Sequence, residues 1–105
     1  MVIIELLYFD GCPSWERAWS ELGRAIVATG VDATVRLHDI AGLDPSDLSG
    51  FAGSPTLRVD GRDLEGYDGP ALNACRRYEG NEGRGWPTAA LLRERLSAAA
   101  DGGPA

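Results

Sequence analysis

The chain has 105 residues, a formal net charge of −6 and a pI near 4.6, and this length is typical of one domain built around a single core. The negative charge argues against nucleic acids and anionic membrane surfaces as partners, since both attract basic patches. All ten basic residues are arginines, which excludes Schiff-base chemistry on lysine and the lysine of a phosphate-binding loop.

Residues 2–9 (VIIELLYF) form a nearly continuous apolar run, which predicts a strand that is buried on both faces. The run is too short to span a membrane, and it lacks the basic start and the cleavage site of a signal peptide. We therefore expect a cytoplasmic protein. In a reducing compartment, two cysteines are more often catalytic, sensing or metal-binding than a structural disulfide.

The next two segments predict a helix and a second strand. Apolar residues recur at helical spacing through residues 14–29, between Pro13 and Gly30. Residues 31–38 then alternate between apolar and polar side chains, as a half-exposed strand does. Because a helical crossover lets two strands lie parallel, residues 2–38 predict a right-handed β-α-β unit.

The middle of the chain predicts a short helix and an antiparallel hairpin. Asp44 and Pro45 suit the N-cap and the first helical position, so we expect a short helix over residues 46–51. Residues 56–59 are strand-like, and Asp60 with Gly61 is the pair favoured in a two-residue type I′ turn. Residues 62–65 are expected to return as the partner strand.

The last third is less regular. Residues 67–85 are rich in Gly, Asn, Asp and Glu, and they predict a functional or mobile segment with at most one helical turn near residues 71–76. Residues 86–88 (WPT) are predicted to open a final helix, and residues 101–105 are expected to form a flexible tail. One domain is therefore expected over residues 1–100, with an α/β fold and a mixed four-stranded sheet.

Cys12 is the leading candidate for a reactive residue, because it follows the first strand and directly precedes the first helix. The free N–H groups and the positive dipole end of a helix N-terminus favour an anion, so we expect the Cys12 thiolate to be stabilised. The carboxylate of nearby Asp10 opposes that effect.

The run YFDGCPSW at residues 8–15, the run GSPT at residues 53–56 and the order of the elements resemble the thioredoxin superfamily. The resemblance covers most of the chain and implies a three-layer fold with flanking helices. It also implies that Cys12 is the reactive cysteine and that Pro55 is a cis-proline beside it. In that arrangement the backbone of Ser54 is free to pair with an extended substrate.

More narrowly, these runs and the sequence Cys75-Arg76-x-Tyr78 resemble a group of small bacterial thioredoxin-like proteins. Members are often labelled thioredoxin-family proteins and sometimes alkylmercury lyases, and some carry selenocysteine at the position of Cys12. Trp15 stands where the usual Cys-x-x-Cys motif has its second cysteine. A mixed disulfide at Cys12 must therefore be resolved by a low-molecular-weight thiol or by Cys75.

Three arginines near Cys75 have two interpretations. Arg76, Arg77 and Arg84 are candidates for binding the carboxylates of an anionic thiol, because guanidinium pairs with carboxylate through two parallel hydrogen bonds. The alternative is solvated surface. In either case, the two arginines next to Cys75 are expected to favour its thiolate.

Aromatic residues and the single histidine complete the candidates. Trp15 and Trp19 are expected in the core, although Trp15 is also a candidate substrate contact beside the sulfur. Trp86 is expected to pack ahead of the last helix. His38 falls on the polar side of the second strand, which argues against a catalytic Cys–His pair with Cys12.

Three functions remain open at this point. The leading hypothesis is a thiol redox protein in which Cys12 attacks a disulfide or a peroxide and Cys75 or an external thiol resolves the product. Trp15, Ser54 and Pro55 would then contact the substrate. The second hypothesis is capture of Hg²⁺ or Cu⁺ by the two cysteines, and the third is a redox-inert scaffold. No resident cofactor is expected.

Overall fold

The parallel unit predicted for the first part of the chain is present. Strand β1 is formed by Val2–Tyr8, helix α1 by Trp15–Thr29 and strand β2 by Ala33–Asp39. The structure is a computed structural model, and it describes residues 1–102. Strands β1 and β2 pair in parallel along their whole length. This part was predictable because the helical spacing and the strand alternation are local patterns.

The predicted hairpin is also present and completes the sheet. Strand β3 (Thr56–Val59) runs antiparallel to β1, strand β4 (Arg62–Asp63) runs antiparallel to β3, and the sheet order is β2-β1-β3-β4. Asp60 and Gly61 have φ angles of +50° and +82°, as both central positions of a type I′ turn require.

Two elements in this part of the chain are shorter than expected. Strand β4 ends two residues early, because the Asp63 carboxylate accepts hydrogen bonds from the N–H groups of Glu65 (2.9 Å) and Tyr67 (3.1 Å). Such a side-chain turn directs the chain away from the strand. The helix expected over residues 46–51 is a single 3-10 turn at Pro45–Leu48.

The last helix, α2, spans Ala89–Ala100. Its N-terminus is capped by Thr88, whose hydroxyl accepts a hydrogen bond from the N–H of Leu91 at 3.1 Å. Trp86 packs against the core just before the helix. The predicted tail begins directly after α2, and its residues 103–105 lie outside the described residues.

The core lies between one face of the sheet and both helices. Its fully buried members include Val2, Ile4, Leu6, Ala18, Leu22, Ala25, Leu57, Leu92 and Leu96. Alternate residues of a strand share a face, so the even-numbered positions of β1 place α1 and α2 on the same side of the sheet. Burying each large aliphatic side chain contributes about 1.5–3 kcal/mol to folding.

The three-layer arrangement implied by the resemblance is not found in residues 1–102, where no α-helix covers the second face of the sheet. Glu5 lies on that face, with Arg36 and Arg58 as its neighbours on the two adjacent strands. The connection between β2 and β3 contains only short 3-10 helices, at Ile40–Gly42 and Pro45–Leu48. These two helices are too short to form a third layer.

The segment over residues 67–85 is more ordered than expected. Instead of a helical turn near residues 71–76, the backbone of Cys75 forms a parallel β-bridge with Ser54. Tyr78 forms a second, antiparallel bridge with Arg84, around a 3-10 helix at Glu79–Asn81. The partners in these bridges are distant in sequence or irregularly spaced, so no periodic pattern in the sequence predicts the bridges.

Candidate thiol site

The topology brings the loop containing Cys12 to the loop containing Ser54. Strands β1 and β3 are antiparallel neighbours, so the end of β1 lies at the same edge of the sheet as the start of β3. The N–H of Phe9 donates a hydrogen bond to the Ser54 hydroxyl oxygen at 3.2 Å, and the N–H of Cys12 donates to the carbonyl of Phe9 at 3.3 Å. The thiol and the Ser54–Pro55 pair therefore belong to one site.

The Cys12 sulfur is almost completely buried, with 4% of the residue exposed. Its thiol donates a hydrogen bond to the carbonyl oxygen of Ser54, with Sγ and O 3.4 Å apart. Helix α1 begins at Trp15, three residues further on, and the Asp10 carboxylate accepts a hydrogen bond from the N–H of Gly11 at 3.1 Å.

The loop before β3 is rigidly held by hydrogen bonds. The Ser54–Pro55 peptide bond is cis, as the resemblance implies. The Thr56 hydroxyl donates to the carbonyl of Gly53 at 2.6 Å, and the Tyr78 hydroxyl donates to the carbonyl of Pro55 at 2.7 Å. Ser54 has no exposed surface, so it offers a backbone contact to Cys12 rather than a free hydroxyl.

The backbone of Ser54 is already fully paired, which corrects an implication of the resemblance. Its N–H donates to the carbonyl of Ala74 at 2.9 Å, and its carbonyl accepts from the N–H of Arg76 at 2.8 Å. This close approach depends on Gly53, because a Cβ at that position would lie 2.6 Å from the carbonyl oxygen of Ala74. Residues 74–76 therefore occupy the position that was expected to be free.

Cys75 lies opposite Ser54 in this bridge, and both cysteines of the chain are free thiols. The Ser54 oxygen is bonded by the Cys12 sulfur (3.4 Å) and by the N–H of Arg76 (2.8 Å). With standard backbone dimensions, the Cα of Cys75 is therefore at most about 9 Å from the Cys12 sulfur. The Cys75 side chain is exposed, however, and lines an open groove of about 780 Å³ whose wall does not include Cys12.

The sequence left two roles open for Arg76, solvated surface or binding of an anionic ligand, and the buried, paired side chain has neither. Its side chain is 5% exposed and forms a two-pronged ion pair with Asp63, with Nη2 2.7 Å from Oδ2. Glu65 lies 3.5 Å away, and the guanidinium sits 4.2 Å from the ring centre of Tyr78. Burial acts to lower the pKa of Arg76, but its hydrogen bonds with Asp63 and the nearby charges outweigh burial and raise it.

This pairing changes the expected environment of Cys75. The charge of Arg76 is neutralised by Asp63 and shared with Glu65, so it is not a free cation beside the thiol. Arg77 lines the same groove as Cys75 and remains a candidate neighbour. Arg84 is exposed and lies 3.6 Å from Glu82.

Tyr78 anchors the segment from the other side. The residue is completely buried in the core and its hydroxyl reaches the loop before β3. Burial raises the pKa of Tyr78 well above its ordinary value, because the phenolate would lose its hydration. Arg76 opposes this shift only in part.

The tryptophans differ from one another in their environments. Trp15 is half-buried and stacks on Tyr8, with ring centres 4.3 Å apart and 20° between the ring planes. Trp19, which was expected in the core, is 38% exposed because it lies at the margin of the buried stripe of α1. The guanidinium of Arg17 lies 4.8 Å from the Trp86 ring centre, which links the start of α1 to the segment before α2.

His38 pairs with a carboxylate rather than with Cys12. Its Nε2 lies 3.1 Å from Glu5 Oε2 across strands β1 and β2. The side chain faces the sheet surface that the helices leave uncovered, as the alternation of β2 predicted.

Sequence reasoning quoted Gly53 and Tyr78 only as parts of motifs and gave them no role in the site, and it missed Asp63. The spacing of Arg76 and Tyr78 was the available signal, because two positions apart is the period of a strand face. Nothing in the sequence indicated that Asp63 is the partner of Arg76.

No protein-family model matches the chain, and no curated protein matches it. Among residues 1–102, no helix is both long and apolar enough to cross a membrane. In the same residues, no group of three or more His, Cys, Asp or Glu side chains is arranged to hold a metal ion. The geometry of Cys12, Ser54 and Cys75 is therefore the basis for a functional assignment.

Proposed function

We propose that this chain is a thioredoxin-like thiol redox protein that exchanges disulfides at Cys12, with Cys75 or a low-molecular-weight thiol as the resolving partner. The observation that carries the proposal is the position of the Cys12 sulfur, 3.4 Å from the carbonyl of Ser54, next to Pro55. The sheet order β2-β1-β3-β4 with a parallel β1-β2 pair supports the same assignment.

The first chemical step is attack on a substrate disulfide. Cys12 loses its proton, and its thiolate attacks one sulfur of the substrate. A new bond joins Cys12 to that sulfur, the substrate's own sulfur–sulfur bond breaks, and the second substrate sulfur leaves as a thiolate that takes up a proton. The helix N-terminus three residues away favours the negative charge on Cys12 during this step.

The second step removes the bound substrate. The Cys75 thiolate attacks the Cys12 sulfur, the first substrate sulfur leaves as a thiolate, and a Cys12–Cys75 disulfide forms. Two electrons have then passed from the protein to the substrate. Two equivalents of an external low-molecular-weight thiol return the pair to its reduced form, with two free thiols: the first thiol forms a mixed disulfide and releases one cysteine, and the second releases the other cysteine and leaves joined to the first as their own disulfide. The distance of at most about 9 Å between the Cys75 Cα and the Cys12 sulfur supports this pairing after a modest movement of residues 74–76.

Turnover of a glutathione-capped peptide disulfide with glutathione as the reductant tests the proposal. Wild type, Cys12→Ser, Cys75→Ser and the double variant are compared. We expect Cys12→Ser to fall to the level of the double variant, while Cys75→Ser separates the internal from the external resolving thiol. Wild-type turnover in Cys12→Ser would rule out the proposed function.

A second candidate is capture of Hg²⁺ or Cu⁺ by the same two sulfurs, since two thiolates suit linear coordination of soft ions. The closeness of residues 74–76 to Cys12 favours it as well. Equimolar Hg²⁺ binding that protects both cysteines from alkylation, without disulfide turnover, would favour this candidate over the first. Independent alkylation of the two cysteines in the presence of the ion would exclude it.

A further inference from the structure

Residues 74–76, here called the strap, have an unusual position relative to Cys12. Two donors converge on the Ser54 carbonyl oxygen: the Cys12 thiol at 3.4 Å and the N–H of Arg76 at 2.8 Å. The strap and the sulfur therefore share one acceptor, which places the Arg76 nitrogen at most about 6 Å from the Cys12 sulfur. At 4% exposure, Cys12 cannot meet a substrate sulfur without a movement of the chain around it.

The strap is fastened at both ends of its bridge. The N–H of Ser54 donates to the carbonyl of Ala74, and the side chain of Arg76 is clamped on Asp63. Beyond the clamp, Tyr78 is fixed in the core. On the other side of the bridge, residues 66–73 are mostly exposed. Such a segment opens more easily at its exposed side than at its buried side.

We infer that the strap is a cover over Cys12, that its fixed end is the Arg76 side chain held on Asp63, and that opening of the strap controls the reactivity of Cys12. The inference rests on the proposed function for its purpose, because it concerns how the reacting sulfur becomes accessible. Its test does not depend on the proposed function, because alkylation measures only how accessible Cys12 is to the reagent. Opening breaks the two backbone hydrogen bonds to Ser54 and frees the Ser54 oxygen.

The strap also explains the separate surroundings of the two cysteines. In the closed arrangement Cys75 lines the groove and Cys12 lies outside the groove wall. A strap that opens from its exposed side moves Cys75 and the Arg76 amide away from Ser54, while the Arg76 side chain stays on Asp63. The same movement therefore uncovers the first thiol and repositions the second.

Gly53 offers a way to loosen the strap without changing either cysteine or the ion pair. A Cβ at residue 53 would lie 2.6 Å from the Ala74 carbonyl oxygen and 3.2 Å from the Arg76 nitrogen, both of them backbone atoms. Gly53→Ala must therefore push the strap away from Ser54. Gly61→Ala is the matched control, because Gly61 has a similar positive φ but open space around its Cβ position.

The experiment measures the rate at which iodoacetamide alkylates Cys12, by peptide mass, in wild type, Gly53→Ala and Gly61→Ala at matched pH. Loss of two backbone hydrogen bonds predicts an increase of about tenfold to a hundredfold in Gly53→Ala beyond that in Gly61→Ala. Equal rates in the two variants would overturn the inference. Alkylation measures access to Cys12 and does not depend on disulfide turnover. Failure of this inference is therefore distinguishable from failure of the proposed function.

A second measurement uses the wild-type protein and does not depend on the folding of any variant. Cys12 alkylation and the hydrogen exchange of the Arg76 amide are followed at low urea concentrations, together with exchange of the β1 amides. Opening of the strap predicts that Cys12 and Arg76 share a weak urea dependence, while β1 shows the strong dependence of global unfolding. If Cys12 alkylation, Arg76 exchange and β1 exchange all showed the strong urea dependence of global unfolding, the inference that the strap opens locally would be wrong.

Discussion

Replacing Tyr78 by phenylalanine removes one buried hydroxyl and leaves the ring in place. That hydroxyl donates to the Pro55 carbonyl at 2.7 Å from a residue with no exposed surface. A hydrogen bond contributes about 0.5–1.5 kcal/mol net, and a buried carbonyl left without its donor costs about 1–3 kcal/mol. We therefore expect Tyr78→Phe to lower the free energy of unfolding by about 1–3 kcal/mol at neutral pH.

The same variant tests the ionisation of Tyr78. Burial raises the pKa of Tyr78 above its unfolded value of 10.0, so the phenol ionises more readily in the unfolded chain. The stability that depends on the neutral phenol is fully present below pH 10 and is lost as the pH rises towards the higher folded pKa. At pH 11 this loss is about 1.4 kcal/mol in the wild type, because one pH unit per proton corresponds to about 1.4 kcal/mol. The phenylalanine variant has no such loss.

Urea unfolding followed by tryptophan fluorescence at pH 8 and pH 11, with reductant present, measures both effects. The difference in stability between wild type and Tyr78→Phe should shrink by about 1.4 kcal/mol at pH 11. Tyr67→Phe is the control, since its hydroxyl donates to the Pro70 carbonyl in an exposed setting. An unchanged difference at the two pH values would refute the account of Tyr78 as a buried neutral phenol.

Two further predictions concern stability. Asp63→Asn removes the two-pronged partner of the buried Arg76 guanidinium and leaves only Glu65, 3.5 Å away, as a charge partner, so we expect a loss of about 3 kcal/mol, the low end for breaking a buried ion pair. Arg84→Met, at an exposed pair, should change stability by less than about 1 kcal/mol. Similar urea midpoints for both variants would contradict this ranking. Gly23→Ala, in the interior of α1 with open space at its Cβ position, should raise stability by about 0.5–1 kcal/mol, whereas Gly30→Ala should lower it, because Gly30 ends the helix in the left-handed conformation. Thermal unfolding measures the glycine pair, and melting temperatures that shift in the same direction would contradict it.

The elements predicted correctly are those whose signals are local. The apolar spacing of α1, the alternation of β2 and the Asp60-Gly61 turn each lie within a few residues. Trp19 shows the limit of that reasoning, because an apolar residue at the margin of a helix stripe is not necessarily buried. Local patterns therefore placed the elements but not every side chain.

The contacts that shape the site are long-range, and this is why sequence reasoning missed them. Arg76 meets Asp63, Tyr78 meets Pro55, and residues 74–76 meet Ser54. Each contact depends on how an irregular segment returns across the end of the sheet, for which the sequence carries no periodic signal. The third layer implied by the resemblance is missing because residues 40–55 form only short 3-10 helices.

The stacked rings of Tyr8 and Trp15 give the protein an internal optical probe. With ring centres 4.3 Å apart, the two chromophores are close enough for their near-ultraviolet transitions to couple and to produce circular dichroism that an isolated ring lacks. Tyr8 ends β1 and Trp15 begins α1, so the two rings bracket the turn that contains Cys12. A chemical change at the sulfur that shifts this turn is therefore readable in unlabelled protein, by light, in real time.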